Sequence, residues 1–396
     1  MVETMLAEFE NELKGRIVPF WEKMRDDELG GFYGLLDFDL NLHRNAEKGC
    51  ILNSRILWFF SNAYKLLKDE KCLSCAKWAF DFLESHCLDK TNGGVFWSLN
   101  ADGTVLDSTK HTYNQAFAIY ALINYYEISN DARALETAVS LFNIIETKCR
   151  DKDGYLESFN AEFKPSENDK LSENGVIAAR TMNTLLHVLE AYTDLYRVTK
   201  DSAVGKCLRF ILDVFSEKIW NPQKKRQEVF FDLNYNSLID LYSYGHDIET
   251  SWLVDKCLDV LDDAAYRERI APITACIAEQ IYKIAYKDHS LLNECERGVD
   301  NTTRVWWVQA ETVVGFMNAY QKTGDKKFLD ASSDVWNYIK KYIIDVREGS
   351  EWFWCVDKDR KPSSRQPIVE PWKCPYHNGR MCFEMIHRIK AVEAGK

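Results

Sequence analysis

Three histidines, His187, His246 and His377, fall in segments that are otherwise strongly apolar. Imidazole titrates near neutrality, so a histidine in a pocket can take a proton from a carbon acid and return it. Two such bases on opposite faces of a planar enediolate would invert a stereocentre. Other polar residues recur in the same segments: Arg55 after Asn53; Tyr113, Asn114 and Gln115; Arg180, Asn183 and Glu190 beside His187; Asp247 and Glu249 beside His246; Arg304, Trp306, Trp307 and Glu311; and Asn378 and Arg380 beside His377. Buried polar groups are costly unless paired or functional, which makes these positions informative. The steps from Arg55 to Tyr113, His187, His246, Trp307 and His377 are 58, 74, 59, 61 and 70 residues. A ring of Arg, Tyr, His, Trp and Glu around one pocket suits a polyhydroxylated ligand. Glycoside hydrolysis stays open, because Asp247, Glu249 and Glu311 could supply the acid and carboxylate it needs.

The segments that carry these residues read at a 3.6-residue period, and most Gly and Pro fall in the joins. They are of two kinds. Residues 3–24, 71–88, 131–149, 200–219, 265–287 and 326–344 are amphipathic, whereas 51–67, 113–127, 176–198, 238–258, 305–320 and 378–390 are apolar nearly all round. A helix with one wet face lies outside, and a helix apolar on every side is enclosed. Strict alternation of six pairs, without polar capping repeats, predicts an all-α (α/α)6 barrel, a single domain over 1–396. Glycine turns followed by aromatic residues, such as Gly93, Gly94, Val95, Phe96 and Trp97, are expected as short extended segments around the cavity mouth.

Composition narrows the function. A formal charge of −11 and the absence of a basic run argue against nucleic acid. No apolar run approaches a membrane span, and residues 1–20 read as an amphipathic helix, not a signal peptide. Twelve scattered cysteines fit buried thiols in a reducing cytoplasm. The pair Cys72 and Cys75 lacks a second pair at zinc spacing, so no metal is expected. No glycine-rich dinucleotide fingerprint follows a strand, so no nicotinamide cofactor is expected either. A helical scaffold binding partners on its concave face would show varied, solvent-facing inner helices, and these are aromatic and apolar. The chain is read as a monomer.

The segments YSYGHDIETSWL (242–253), WWVQAE (306–311), EPWKCPYHNGRMCFE (370–384), NSRILWFFS (53–61) and HTYNQAFAIYAL (111–122) resemble the cellobiose 2-epimerases of the N-acylglucosamine 2-epimerase superfamily. The resemblance spans essentially the whole chain and implies an (α/α)6 barrel. It implies reversible epimerisation at C2 of the reducing-end glucose of β-1,4-linked disaccharides, cellobiose to glucosylmannose and lactose to epilactose. It assigns His246 and His377 as the acid/base pair, His187 beside the reacting sugar, and Arg55 on the sugar oxygens. Glu249 and Glu311 would accept hydroxyl hydrogen bonds or orient an imidazole. Trp307 and Trp372 would pack on sugar rings, and Tyr113, Asn183 and Trp252 would complete the substrate site. Acylglucosamine epimerases and mannose isomerases of the same superfamily share the fold and the histidine pair.

Overall fold

The computed structural model describes residues 2–168, 170, 171 and 174–394. Among these, twelve helical segments run in chain order: α1 (2–23), α2 (Cys50–Leu67), α3 (70–87), α4 (Thr112–Ser129), α5 (132–149), α6 (Met182–Thr199), α7 (202–219), α8 (Tyr244–Leu261), α9 (Ala264–Ile284), α10 (Trp306–Thr323), α11 (326–343) and α12 (His377–Ala394). The even-numbered helices pack successively on one another, and α12 returns to α2, so they close a ring. Each odd-numbered helix from α3 to α11 packs outside the even-numbered helix before it, and α1 covers α12. This is an (α/α)6 barrel, as the alternation predicts.

The six inner helices are each 18 residues long, about 27 Å at the α-helical rise. Equal length follows from a repeated join at one end. Every inner helix from α2 to α10 ends on a left-handed residue, Lys68, Asn130, Lys200, Asp262 or Gly324. The next residue is an aspartate, Asp69, Asp131, Asp201, Asp263 or Asp325, whose carboxylate accepts a backbone N–H of the following outer helix. A left-handed stop followed at once by an N-cap reverses the chain in two residues.

The other end is built differently. There the connections from outer to inner helix run to between 21 and 33 residues and carry short antiparallel pairings. Leu241–Ser243 pairs with Glu294–Glu296, which pairs in turn with Val299–Asn301. Arg180–Thr181 pairs with Phe230–Phe231. These pairings move two expected boundaries: α6 begins at Met182 and not at 176, and α8 at Tyr244 and not at 238, because the preceding residues are held extended. Arg180 therefore leaves the predicted helical stripe and pairs with Asp151 at 2.6 Å.

Polar side chains at the fourth position of inner helices tie this end down. Gln115 exchanges two hydrogen bonds with the backbone of Val95, and Gln309 does the same with Leu291. Asn53 accepts from the N–H of Phe32, and Asp247 accepts from the side chain of Gln227 at 2.9 Å. Part of the polar periodicity in the sequence is thus structural. Asp247 is turned toward the loop, away from the axis, which removes one carboxylate from the hydrolase reading.

Candidate active site

The long connections surround a cavity at the amino-terminal ends of the inner helices, enclosing about 1090 Å³ of space counting its open mouth. Arg55, Tyr113, Asn183, His187, His246, Glu249, Trp307, Trp372 and His377 all line it. Six inner helices thereby bring together residues that lie far apart in the chain.

The three imidazoles share one arrangement. His187 Nδ1 lies 2.9 Å from Glu190 Oε2, His377 Nδ1 2.8 Å from Glu311 Oε1, and His246 Nδ1 2.7 Å from Ser243 Oγ. With each Nδ1 engaged by a neighbouring side chain, Nε2 is the nitrogen left for a ligand. His246 and His377 both pack on the indole of Trp307, with ring centroids 4.8 and 5.3 Å away. Gly245 makes this approach possible, since a Cβ there would come within 2.6 Å of the Trp307 ring. Burial drives His246 down to about 3, and the charge of His187 acts in the same direction. Burial and the guanidinium of Arg380 push His377 well below its ordinary value. Both rings are therefore neutral near pH 7, the form that can accept a proton.

Arg55 is buried and sits over the rings of Phe117 and Tyr376, 4.2 and 4.7 Å from their centroids. Its Nη2 donates to the Tyr113 hydroxyl at 2.7 Å and its Nη1 to the carbonyl of Trp372 at 3.5 Å. Neither partner is a carboxylate, so this positive charge is available to an anionic ligand atom. Trp372 closes the same side, with Trp97 and Tyr113 at centroid distances of 5.7 and 6.0 Å. Glu249 Oε2 and Asn183 Oδ1 are buried with no hydrogen-bond partner. Burial, and then the charge of Glu311, raise Glu249 to about 7.

Two expected contacts are relocated. Trp252 is fully buried outside the cavity wall, and its indole N–H donates to Glu311 Oε2 at 3.0 Å. It braces Glu311, and a sugar ring cannot reach it. Glu311 also stands behind the wall, so of its two expected roles it fills the one of orienting an imidazole.

Arg380 was visible in the sequence only as one polar residue of the sixth inner helix, yet it is the centre of the buried network. It donates to Glu190 Oε1 at 2.5 Å, to Glu311 Oε1 at 2.7 Å, to Glu249 Oε1 and to the hydroxyl of Tyr376. Tyr376 in turn donates to Glu190 Oε2 at 2.5 Å. One guanidinium thus ties α12 to α6, α8 and α10. Nothing in the spacing of these residues pairs them, because each carboxylate lies more than sixty residues away. Ser243 was missed altogether; a serine three residues before a histidine at a helix start was the only signal.

Glu249, Glu311 and His377 place ligand atoms within 4.8 Å of one another, close enough to hold a cation. Arg380 already supplies positive charge to both carboxylates, which opposes a second cation there. Glu22, Asp69 and Cys72 form the other such group among the described residues. Burial raises the Cys72 thiol to about 12, which disfavours the thiolate a metal would need.

Residues 30–378 match the family model of N-acylglucosamine 2-epimerase (GlcNAc 2-epimerase). The chain is 48% identical to a cellobiose 2-epimerase of Eubacterium cellulosolvens over 95% of this chain and 96% of that protein. Among solved structures, a sugar epimerase from a ruminal bacterium superposes with a TM-score of 0.96 at 48% identity, covering 97% of this chain and 99% of that one. The cellobiose 2-epimerase of Bacillus thermoamylovorans gives 0.93 at 47% identity, covering 98% and 100%. The chain belongs to the N-acylglucosamine 2-epimerase family and is an enzyme of the epimerase/isomerase class.

Proposed function

We propose that this enzyme epimerises the reducing-end glucose of β-1,4-linked disaccharides at C2, converting cellobiose to glucosylmannose and lactose to epilactose. The observation that carries the reading is the convergence of His246 and His377 on one indole, beside Arg55. The relatives named above include cellobiose 2-epimerases over nearly their full length, which supports the disaccharide substrate.

The chemistry follows from the wall. The pyranose ring opens with proton transfer assisted by a cavity imidazole. A neutral imidazole Nε2 then takes the C2 proton, and the electron pair left behind delocalises on to the aldehyde oxygen as an enediolate. Arg55 and imidazole N–H donors hold that charge in a pocket screened from water. The negative charge on the substrate also raises the basicity of an imidazole that burial has lowered, so the base strengthens as it is needed. Return of a proton to the opposite face, after rotation about C2–C3 or from the second imidazole, completes the inversion. No cofactor enters this scheme.

Glycoside hydrolysis fits less well, because Asp247 and Glu311 stand outside the cavity wall and leave Glu249 without an opposing partner from the predicted set. The experiment is incubation of cellobiose in heavy water with the purified enzyme. Glucosylmannose carrying deuterium at C2 is the expected product; C2 protium alone would refute proton exchange through an open base, and free glucose in place of the epimer would refute the scheme in favour of hydrolysis.

A further inference from the structure

We infer that Ser243 is a positioning residue for this reaction: by meeting His246 with a hydroxyl in place of a carboxylate, it leaves this imidazole, unlike His187 and His377, free to present either a lone pair or an N–H at Nε2. The inference rests on the epimerase reading above and adds a division of labour among the three rings.

His187 and His377 face Glu190 and Glu311. Both oxygens of Glu311 already accept from obligate donors, Oε1 from Arg380 and Oε2 from the indole of Trp252. Glu190 Oε1 likewise accepts from Arg380, and Oε2 from Tyr376. A carboxylate so engaged can only accept, so Nδ1 of each partner ring must carry the hydrogen and Nε2 the lone pair. A serine hydroxyl both donates and accepts. It can accept from Nδ1–H of His246 while Nε2 is a base, and it can donate to Nδ1 while Nε2–H donates to a substrate oxygen. When Nε2 takes a proton from carbon, the imidazolium keeps its Nδ1–H on Ser243 Oγ, and returning that proton restores the neutral ring.

The local structure shows that this contact replaces another. Ser243 is the N-cap residue of α8, and serine is among the preferred caps because its hydroxyl accepts a backbone N–H of the first turn. Here the side chain makes no such bond and is turned to His246, three residues on. At α6 the N-cap Thr181 does cap its helix, accepting from the N–H of Thr184. Ser243 also lines the cavity, so its hydroxyl lies where proton movement matters.

The test uses the full chain with 15N-labelled histidine, His246 being assigned by its loss in His246→Gln. In the substrate-free enzyme His187 and His377 should show the Nδ1–H tautomer alone and His246 a mixture. Ser243→Asp, which retains a good N-cap residue, should shift His246 to Nδ1–H and lower kcat by about a hundredfold with little change in KM. Ser243→Thr keeps a hydroxyl and should lose only about threefold. A wild-type His246 found wholly as Nδ1–H, or equal kcat losses in the Thr and Asp variants, would overturn the inference. Absence of any C2 epimer from the wild type would instead overturn the epimerase reading, while the tautomer measurement on the free enzyme would still decide the role of Ser243.

Discussion

The two ends of the inner helices are made from similar residues and behave as opposites. At the far end, the thirteenth residue of five inner helices is polar: Asn62, Asn124, Asp194, Lys256 and Asn318. These side chains pair between neighbouring inner helices. Asn62 donates to Asn124, Asn124 donates to Asp194, Lys256 lies 4.0 Å from Asp194, and Asn318 donates to Asp255 at 2.7 Å. At the cavity end, Arg55 Nε, Asn183 Oδ1 and Glu249 Oε2 are buried without partners. A buried polar group without a partner costs about 1–3 kcal/mol. The far end avoids that cost by internal pairing, and the cavity end leaves groups for a ligand to satisfy. The joins follow the same division, two residues against more than twenty.

The sharpest way to break this comparison is to act on the imidazoles. His246→Ala and His377→Ala should each lose about 10²–10⁴-fold in epimerisation with an unchanged melting temperature, measured by sugar chromatography beside calorimetry. Arg380→Met removes the cation on which three carboxylates converge, and should cost about 3–5 kcal/mol of stability together with activity; a stable, active variant would mean the network is dispensable. Asp255→Ala, at the far end, removes the partner of Thr274 and Asn318. It should cost about 1–3 kcal/mol in denaturant melts and leave kcat and KM in place. Asp201→Ala, in a two-residue join, should cost about 1 kcal/mol and also spare activity.

A separate expected effect is one of pH. Burial raises Glu157, which accepts from Thr181 N–H at 2.7 Å and from Thr184 Oγ1 at 2.6 Å, to about 8. Below its ordinary range, folded and unfolded chains both hold this proton, so stability is independent of it. Between about 4.5 and 8 the unfolded chain has lost the proton and the folded chain keeps it, so stability falls as pH rises. Glu157→Gln should flatten that decline in melts taken across the window, and an unchanged slope would show that Glu157 does not contribute.

Sequence alone determined the layers, the six-fold repeat and most of the cavity wall. Apolar helices must be enclosed and amphipathic ones must face water, and both properties are local patterns that a linear chain displays. Equivalent helix ends in a closed ring then converge whatever the loops do, which is why Arg55, Tyr113, His187, His246, Trp307 and His377 were legible together. Tertiary structure alone decided which polar residues face the axis. Gln115, Asp247 and Gln309 share the periodicity of the site residues, yet they hold loops, because a rotation of about 100° per residue separates them from their cavity-facing neighbours. It also decided that Trp252 braces Glu311 and that Arg380 gathers three carboxylates. Contacts of that kind depend on side-chain direction across helices, and no spacing along the chain encodes them.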